Sequence, residues 1–511
     1  MDRGRARCAP PYSAPRDRDE QRAVGVHLPP RTSQNKPRPV HPDPQTASSE
    51  TATPEAATPG TGRPPGLADA SRRPARRILG LGLPIFGGMA SGALLTLVDT
   101  ALVGQLGYRE LAAVGLGSMA AWIYLGFFAG FTVAVQAIVS RRVGEGAPEA
   151  RYAVGLNAAL LLIAVAAPIT AALLWWATPW LFALLNNDPE VLRHGVPYLR
   201  WLIAQAPFMG AVYAFNGFWN GVSRSYLYVP ALLSMHVVNV VLAWGFIFGN
   251  LGLPALGAEG AGIATFCASA FGFAVYCGVG WGHGRAFGFL RARPSRMDIA
   301  QVLRLAVPVG LQQLLDTLAL TLMYRIVGLI GTVELAAYAV LINIVGFVGL
   351  PAFALGTAGA TLVGESLGRG DVEAAARWAR DVLRVGAGAL AVLGVPFWAA
   401  PDLVLSLFLQ DQAALDAART PMRILGAMIV VNGVGYMLAA MLNGAGDVRR
   451  VTWVNMLTQW LWLLPGAWLF GPALGFGLLG IWCIHQFGFR ALQSVIYVLL
   501  WRRRGWARVR I

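Results

Sequence analysis

Two long stretches of this chain repeat each other in register, without a gap, at a spacing of 224 residues. Residues 81–150 and 305–374 share Pro84/Pro308, Val103/Val327, Gly104/Gly328 and Gly107/Gly331. The block ELAA follows at 110–113 and again at 334–337, and then come Gly144/Gly368, Gly146/Gly370 and Glu149/Glu373. A duplication of this length demands two halves built to one plan. The material is apolar: 56% of residues are hydrophobic and only 13% are charged, a balance found in polytopic membrane proteins rather than soluble domains.

Stretches long enough to span about 30 Å of hydrocarbon as helices recur from residue 78 onward. Twelve are predicted, near 78–104, 111–139, 152–176, 197–221, 227–249, 258–282, 302–330, 335–364, 378–408, 421–443, 450–471 and 475–501. The expected fold is therefore an all-α polytopic membrane protein, twelve transmembrane helices in two six-helix lobes. Six spans per half bring both halves into the membrane from the same side, so the repeat is parallel, about an axis along the membrane normal. The division that follows is a disordered cytoplasmic tail (1–75), an N-terminal lobe (76–283), a cytoplasmic linker (284–300), a C-terminal lobe (301–502) and a basic tail (503–511).

A net charge of +15 invites a nucleic-acid reading, but the arginines sit at alternate loops rather than in one patch. Arg76 and Arg77, Arg141 and Arg142, Arg285 to Arg296, Arg369 to Arg380, and Arg502 to Arg510 share one side; the loops between carry few. The positive-inside rule then places both termini in the cytoplasm. Residues 1–75 are rich in Pro, Arg, Ser, Thr and Ala without an apolar period, as in disordered tails, and contain no secretory signal pattern. Lys36 is the only lysine, a bias expected of a GC-rich bacterial genome, so the expected location is a bacterial inner membrane. The cysteines Cys8, Cys267, Cys277 and Cys483 lack metal-ligand spacing and read as small hydrophobes.

Ionisable groups at a helix centre cost about 2.5–3.5 kcal/mol on insertion scales, so those present are functional candidates. Asp99 lies in LLTLVDTALVG, about 12 Å past the middle of the first span, with Gly92, Thr96 and Thr100 on the same helical face. A carboxyl there can take up and release a proton or hold Na⁺. Asp316, in GLQQLLDTLAL, shares a side of the seventh span with Gln312, Gln313 and Thr317 and is a candidate for binding a cation or cationic substrate. Asp316 falls on Gly92 under the repeat, so the lobes are not chemically equivalent.

Weaker candidates for the cavity are Asn216 and Asn220 on the fourth span and Asn432 on the tenth; His236 and Asn239 pair on the fifth. Each alone is more often glue between helices. Arg325 is expected to snorkel to the interface, Glu365 to be solvated at the cytoplasmic end of the eighth span, and Trp201 and Trp219 are possible stacking partners for an aromatic cation. Pro84 and Pro308 open equivalent helices and are matched kink candidates. There is no catalytic constellation, metal pattern or Walker loop, so the chain reads as a non-enzyme without cofactor, driven by an ion gradient of H⁺ or Na⁺.

At this point the residues resemble the multidrug and toxic compound extrusion (MATE) transporters over roughly 78–500. LPIFGGMASGALLTLVDTALVGQLG at 83–107 is similar to that family's opening pattern, and 306–331 followed by LVGESLGRGD at 362–371 to its second-lobe signature. MLNGAGDVR at 441–449 and the run 239–265 fit as well, and VDTALVGQLG looks closest to the DNA-damage-inducible branch. The resemblance implies an efflux antiporter that exports organic cations or other small amphipaths against H⁺ or Na⁺, with the lipid bilayer as its surroundings. It carries Asp99 over as the coupling acid of the first lobe and Asn239 as its neighbour. Two departures stand out: Ala243 occupies a position where many members have an acid, and Asn432 another where the NorM-like branch does. A lipid-linked sugar flippase of the related superfamily is the alternative, although in-membrane basic residues reduce to Arg325 and Arg490. A scaffold using the basic tail as a binding arm is a third.

Overall fold

The computed structural model describes residues 74–186 and 188–509; the tail expected over 1–75 lies, up to residue 73, outside the described residues. Twelve spans follow in chain order. The first lobe holds α1 (Pro74–Gly104), α2 (Tyr108–Gly144), α3 (Val154–Ala183), α4 (189–221), α5 (Val229–Phe248) and α6 (Gly257–Gly284). The second holds α7 (Arg296–Gly328), α8 (Thr332–Gly368), α9 (Val372–Ala399), α10 (Gln412–Gly444), α11 (448–473) and α12 (477–502). Among the described residues nine are long, apolar helices able to cross a bilayer by themselves, and α4, α11 and α12 are composite.

Local chemistry explains the ends and the breaks. Ser295 and Asp298 close a capping box at the start of α7, and Asp371 and Asp411 accept backbone N–H groups ahead of α9 and α10. In α4 the helix is interrupted at Gln205, because Pro207 supplies no N–H to continue the ladder. The last two spans are wound in part as π-helix, at Thr458–Leu463, Leu469–Ala473 and Ile484–Ala491. Such turns recur at functional sites because they re-aim side chains within a helix.

Pro84 and Pro308 do not open their helices. Both lie in the interior, because α1 starts at Pro74 and α7 at Arg296, in basic stretches that an apolar window does not mark. The segment after α12 folds back: Arg504 pairs with Glu373, Trp506 is buried in a stack on Trp501, and the Val509 carbonyl accepts from Arg141.

The buried apolar residues form two cores, one per lobe, and the repeat crosses between them. Ile78 and Leu81, on the first turns of α1, belong to the core of the second lobe. Val302 and Leu305, their counterparts 224 residues on, belong to the core of the first. Each lobe thus lends the start of its first helix to the other. Helices α2 and α8 cross beside this exchange, where a Cβ on Gly144 would strike the Glu365 backbone and one on Gly368 the Arg141 backbone. Gly144/Gly368 and Arg141/Glu365 are themselves repeat pairs, so the pseudo-twofold axis runs between the two glycines. Lipid supplies no apolar drive, and close backbone contact between small residues holds such a crossing.

Among the described residues, every side-chain hydrogen bond between the lobes lies toward the end where α1 begins and α12 finishes. Arg77 reaches Glu365, Gln136 reaches Thr357 and Thr361, Ser223 reaches Glu365, Thr361 reaches the Asn220 carbonyl, Arg142 reaches Asp298, and Arg141 reaches the segment after α12. Among the described residues the side-chain hydrogen bonds that join the lobes are thus confined to this terminal end.

Candidate transport site

In the first lobe, α1 carries Asp99 to the part of the helix beyond the inter-lobe junction. The residue is partly exposed, and among the described residues no hydrogen bond reaches its carboxylate. The adjacent hydroxyls are committed to their own helix: Thr96 donates to the Gly92 carbonyl at 3.2 Å and Thr100 to the Thr96 carbonyl at 2.7 Å. Tyr198 of α4, bonded to Ser118 of α2 at 2.8 Å, stands within electrostatic reach of Asp99. Asn239 on α5 is buried, and its amide donates to Thr265 of α6 at 3.3 Å rather than to Asp99. Its side-chain carbonyl oxygen is buried without a donor among the described residues. Among the described residues the Asp99 carboxylate and the Asn239 side-chain oxygen are thus acceptors without a protein donor, which is the condition for taking a proton or a cation.

The second lobe is arranged in the opposite way. Asp316 on α7 accepts two hydrogen bonds from the Asn455 amide of α11, at 2.8 and 3.0 Å. The Asn455 carbonyl accepts from Gln493 of α12 at 2.5 Å, and Gln493 also donates to Thr458 at 3.1 Å. Arg490, in the π-helical part of α12, donates to Gln493 at 3.3 Å and lies over the rings of Tyr436 and Phe489 at 4.8 and 4.6 Å. A chain of polar contacts therefore runs from the Asp316 carboxylate to a fixed guanidinium. Asn432 of α10 joins the periphery by donating to Gln486 at 2.8 Å. Gln312 faces the same carboxylate as Asn455.

The remaining expectations separate in space. Gln313 packs over Gly126 of α2 at the inter-lobe crossing. Asn216 accepts from Tyr276 of α6 at 2.8 Å, which ties two helices of one lobe together. Asn220 is buried at the junction, where its backbone carbonyl accepts from Thr361. Asn216, Asn220 and Asn432 therefore each make contacts of their own, and none of them is hydrogen-bonded to Asp316 among the described residues. Trp219 is fully buried and edge-on to Phe218, and Trp201 donates to Glu259 at 3.2 Å, so both rings are engaged in packing or bonding of their own.

Glu365 is not solvated. It is 4% exposed and bridges the lobes, accepting from Arg77 at 2.8 Å and from Ser223 at 2.5 Å, with Arg369 4.0 Å away. The expectation failed because α8 continues past residue 364 and its last turns run into the pseudo-twofold crossing instead of water. Sequence reasoning also missed Asn455, Gln493 and Gln136; each was visible only as a single amide in an apolar run, with nothing local to name its partner.

The MatE family model matches this chain twice, over residues 84–245 and 308–469, at the same 224-residue offset as the internal repeat. The chain belongs to the MatE family. A probable multidrug resistance protein NorM of Rhizobium meliloti is 29% identical over 449 residues, covering 84% of this chain and 92% of the relative. The protein of the same name from Pseudomonas aeruginosa is 26% identical over 418 residues, covering 80% and 85%. Among solved structures, an outward-facing multidrug resistance MATE family transporter of the MOP superfamily superposes with a TM-score of 0.77 at 21% identity, covering 86% of this chain and 97% of that one. The Vibrio cholerae MATE transporter VcmN in its bent form gives 0.77 at 20% identity, covering 86% and 98%. The chain is thus a MATE-type membrane transporter with the fold of that family, and the twelve spans in two lobes agree with both.

Proposed function

We propose that this MATE-type chain is an efflux antiporter that moves organic cations or other amphipathic toxic compounds out of a bacterial cell in exchange for H⁺ or Na⁺. Asp99 is its coupling group. The observation that carries this reading is the unmatched carboxylate: Asp99 has no donor among the described residues, whereas Asp316 is connected through Asn455 and Gln493 to Arg490. Among the described residues Asp316 has donors and Asp99 has none, so of these two intramembrane acids Asp99 is the one with an unmet need for a positive partner. Protonation or Na⁺ binding satisfies it, and a cationic substrate competes for the same charge.

Helix α1 supplies the mechanical link. Its first turns are seated in the second lobe through Ile78 and Leu81, its far part carries Asp99, and Pro84 lies between them, where one backbone hydrogen bond is missing. Occupancy of Asp99 can therefore bend α1 about Pro84 and load the terminal junction. With both termini in the cytoplasm, as the arginine distribution supports, the hydrogen-bonded junction closes the cytoplasmic side, and substrate leaves and the coupling ion enters from the outside.

The test is extrusion of a fluorescent organic cation from proteoliposomes under a H⁺ gradient and a Na⁺ gradient imposed separately. Flux driven by one gradient and absent in Asp99→Asn supports the proposal and names the ion. Flux that survives in Asp99→Asn, or none under either gradient with folded protein, removes it.

A further inference from the structure

The linker between the lobes is basic, but its arginines do not simply point into water from a loose loop. Asn157 on α3 fastens the loop at three points, donating to the carbonyls of Gly288 and Ala292 at 3.0 and 2.8 Å and accepting from the Leu290 N–H at 3.1 Å. The Phe287 carbonyl accepts from Ala153 at 2.8 Å. Gly288 sits at φ +88°, with its α-carbon so close to the Ala150 carbonyl that no side chain fits. These contacts shape a cup of about 460 Å³ whose wall includes Arg151, Arg285, Arg291 and Arg293.

Among the described residues no carboxylate forms an ion pair with any of these four arginines. By contrast, nearby Arg142 is paired with Asp298. Positive-inside bias accounts for arginines on this side of the protein. It does not account for four of them converging on one concavity with a backbone fixed by a buried asparagine. Exposed apolar side chains stand close by in sequence, on the helix end before the loop and on the loop itself. Trp281 is 56% exposed with the Arg285 guanidinium 4.0 Å over its ring, and Leu290 is 64% exposed at the tip of the loop. An exposed tryptophan in the last turn of a spanning helix is the usual mark of the headgroup level.

We propose that this cup is a binding site for a phosphate group, held by the guanidinium forks of Arg151, Arg285, Arg291 and Arg293 and presented by an anionic phospholipid of the adjoining leaflet. Planar guanidinium groups match phosphate oxygens two at a time, and basic pockets beside spanning helices suit lipid headgroups. Exposed Trp281 and Leu290 offer the acyl-glycerol portion apolar surface that free phosphate would not use. Because the loop joins the lobes, an occupied cup ties the linker to the bilayer on the first-lobe side.

The test uses the full chain purified in neutral detergent, with native mass spectrometry against phosphatidylglycerol and against phosphatidylcholine. Arg291→Gln/Arg293→Gln removes half of the cup's charge. Arg502→Gln/Arg503→Gln removes the same charge from the same end of the molecule outside the cup. The first phosphatidylglycerol is expected to bind about tenfold more weakly to the cup variant, with the control near wild type and phosphatidylcholine unaffected. Arg291→Lys/Arg293→Lys, which keeps charge and loses the fork, is expected to fall between. In a second arm, inorganic phosphate that raises the melting temperature of wild type but not of the cup variant assigns the same chemistry to a soluble source. Equal loss in the cup and control variants would reduce the feature to diffuse surface charge and overturn the proposal. So would indifference of the cup variant to both probes. Melting of each variant without ligand identifies any that fails to fold, and a single Arg293→Gln then replaces it.

Discussion

Among the described residues Asp99 in the first lobe stands without a donor, while Asp316 in the second is held by Asn455 and backed by Gln493 and Arg490. Under the 224-residue shift Asp99 falls on Met323 and Asp316 on Gly92, so neither acid has a counterpart. The mechanical parts behave differently: Ile78 and Leu81 exchange places with Val302 and Leu305, and Gly144 faces Gly368 across the axis. Packing at a pseudo-twofold junction constrains both copies at once, because a change in one is felt by the other. Charges inside each lobe are under no such mutual constraint, and here they have diverged until one lobe keeps its acid open and the other has closed it internally.

The largest expected effect tests that division. Asp99→Asn should reduce gradient-driven flux by about 100-fold or more, because an amide can neither take up a proton nor balance a bound cation. Asp316→Asn should retain most flux, because the amide can still accept from Asn455 and Arg490 keeps its ring contacts. Equal loss of initial transport rate in the two variants would end the claim that the lobes divide the work.

Gly144→Leu ranks next. A side chain there must push the Glu365 backbone away, and overpacking of this kind costs about 1–3 kcal/mol. Cysteine accessibility at the terminal end should rise, and Gly368→Leu should do the same to a similar degree by symmetry. A large disparity between the two would show that the junction is less symmetric than its backbone.

Asn455→Leu probes the closed acid. It leaves Asp316 without its two amide hydrogen bonds from Asn455 and Gln493 with Thr458 as its remaining acceptor, a cost of about 1–3 kcal/mol that a melting curve in detergent should register. Combined with Asp316→Leu, the loss should be smaller than the sum, because residues in one network are coupled. Additive losses would mean that Asn455 stabilises the lobe by other contacts.

How much of this was legible beforehand follows the same division. The repeat, the twelve spans and the parallel lobes could be read from apolar runs and matched glycines, because membrane thickness and close helix contact leave local marks. Asp99 and Asp316 could be read as charges in apolar helices. Their surroundings could not: Asp316 meets Asn455 across 139 residues and Glu365 meets Arg77 across 288, and no periodicity encodes such a pairing. The interior position of Pro84 was hidden for another reason. The first turns of α1 are arginine-rich, and what makes them helical and buried is the core of the other lobe.

The smallest predicted effect is at Ser223, and it separates two views of the terminal junction. Glu365 there has Arg77 at 2.8 Å and the Ser223 hydroxyl at 2.5 Å. If the junction were held by the ion pair alone, Ser223→Ala would be silent. A hydroxyl donating to a largely buried carboxylate should instead contribute, though well below the ~1.5–3 kcal/mol of a hydrogen bond to a charged group, because Arg77 still holds Glu365 and water can reach the vacated position. The loss acts on the joined state only, since the hydroxyl and the carboxylate belong to different lobes and separate when the terminal end opens. Ser223→Ala should therefore leave the melting temperature nearly unchanged, if unfolding reports mainly the two lobe cores, yet raise the accessibility of a cysteine placed at the junction. Arg77→Gln should raise it further, and the double variant should exceed Arg77→Gln by less than Ser223→Ala alone adds, because both groups serve the same carboxylate. A rise in accessibility with no such shortfall would mean that the hydroxyl and the guanidinium act on Glu365 independently, and that the junction on the first-lobe side is two contacts rather than one latch.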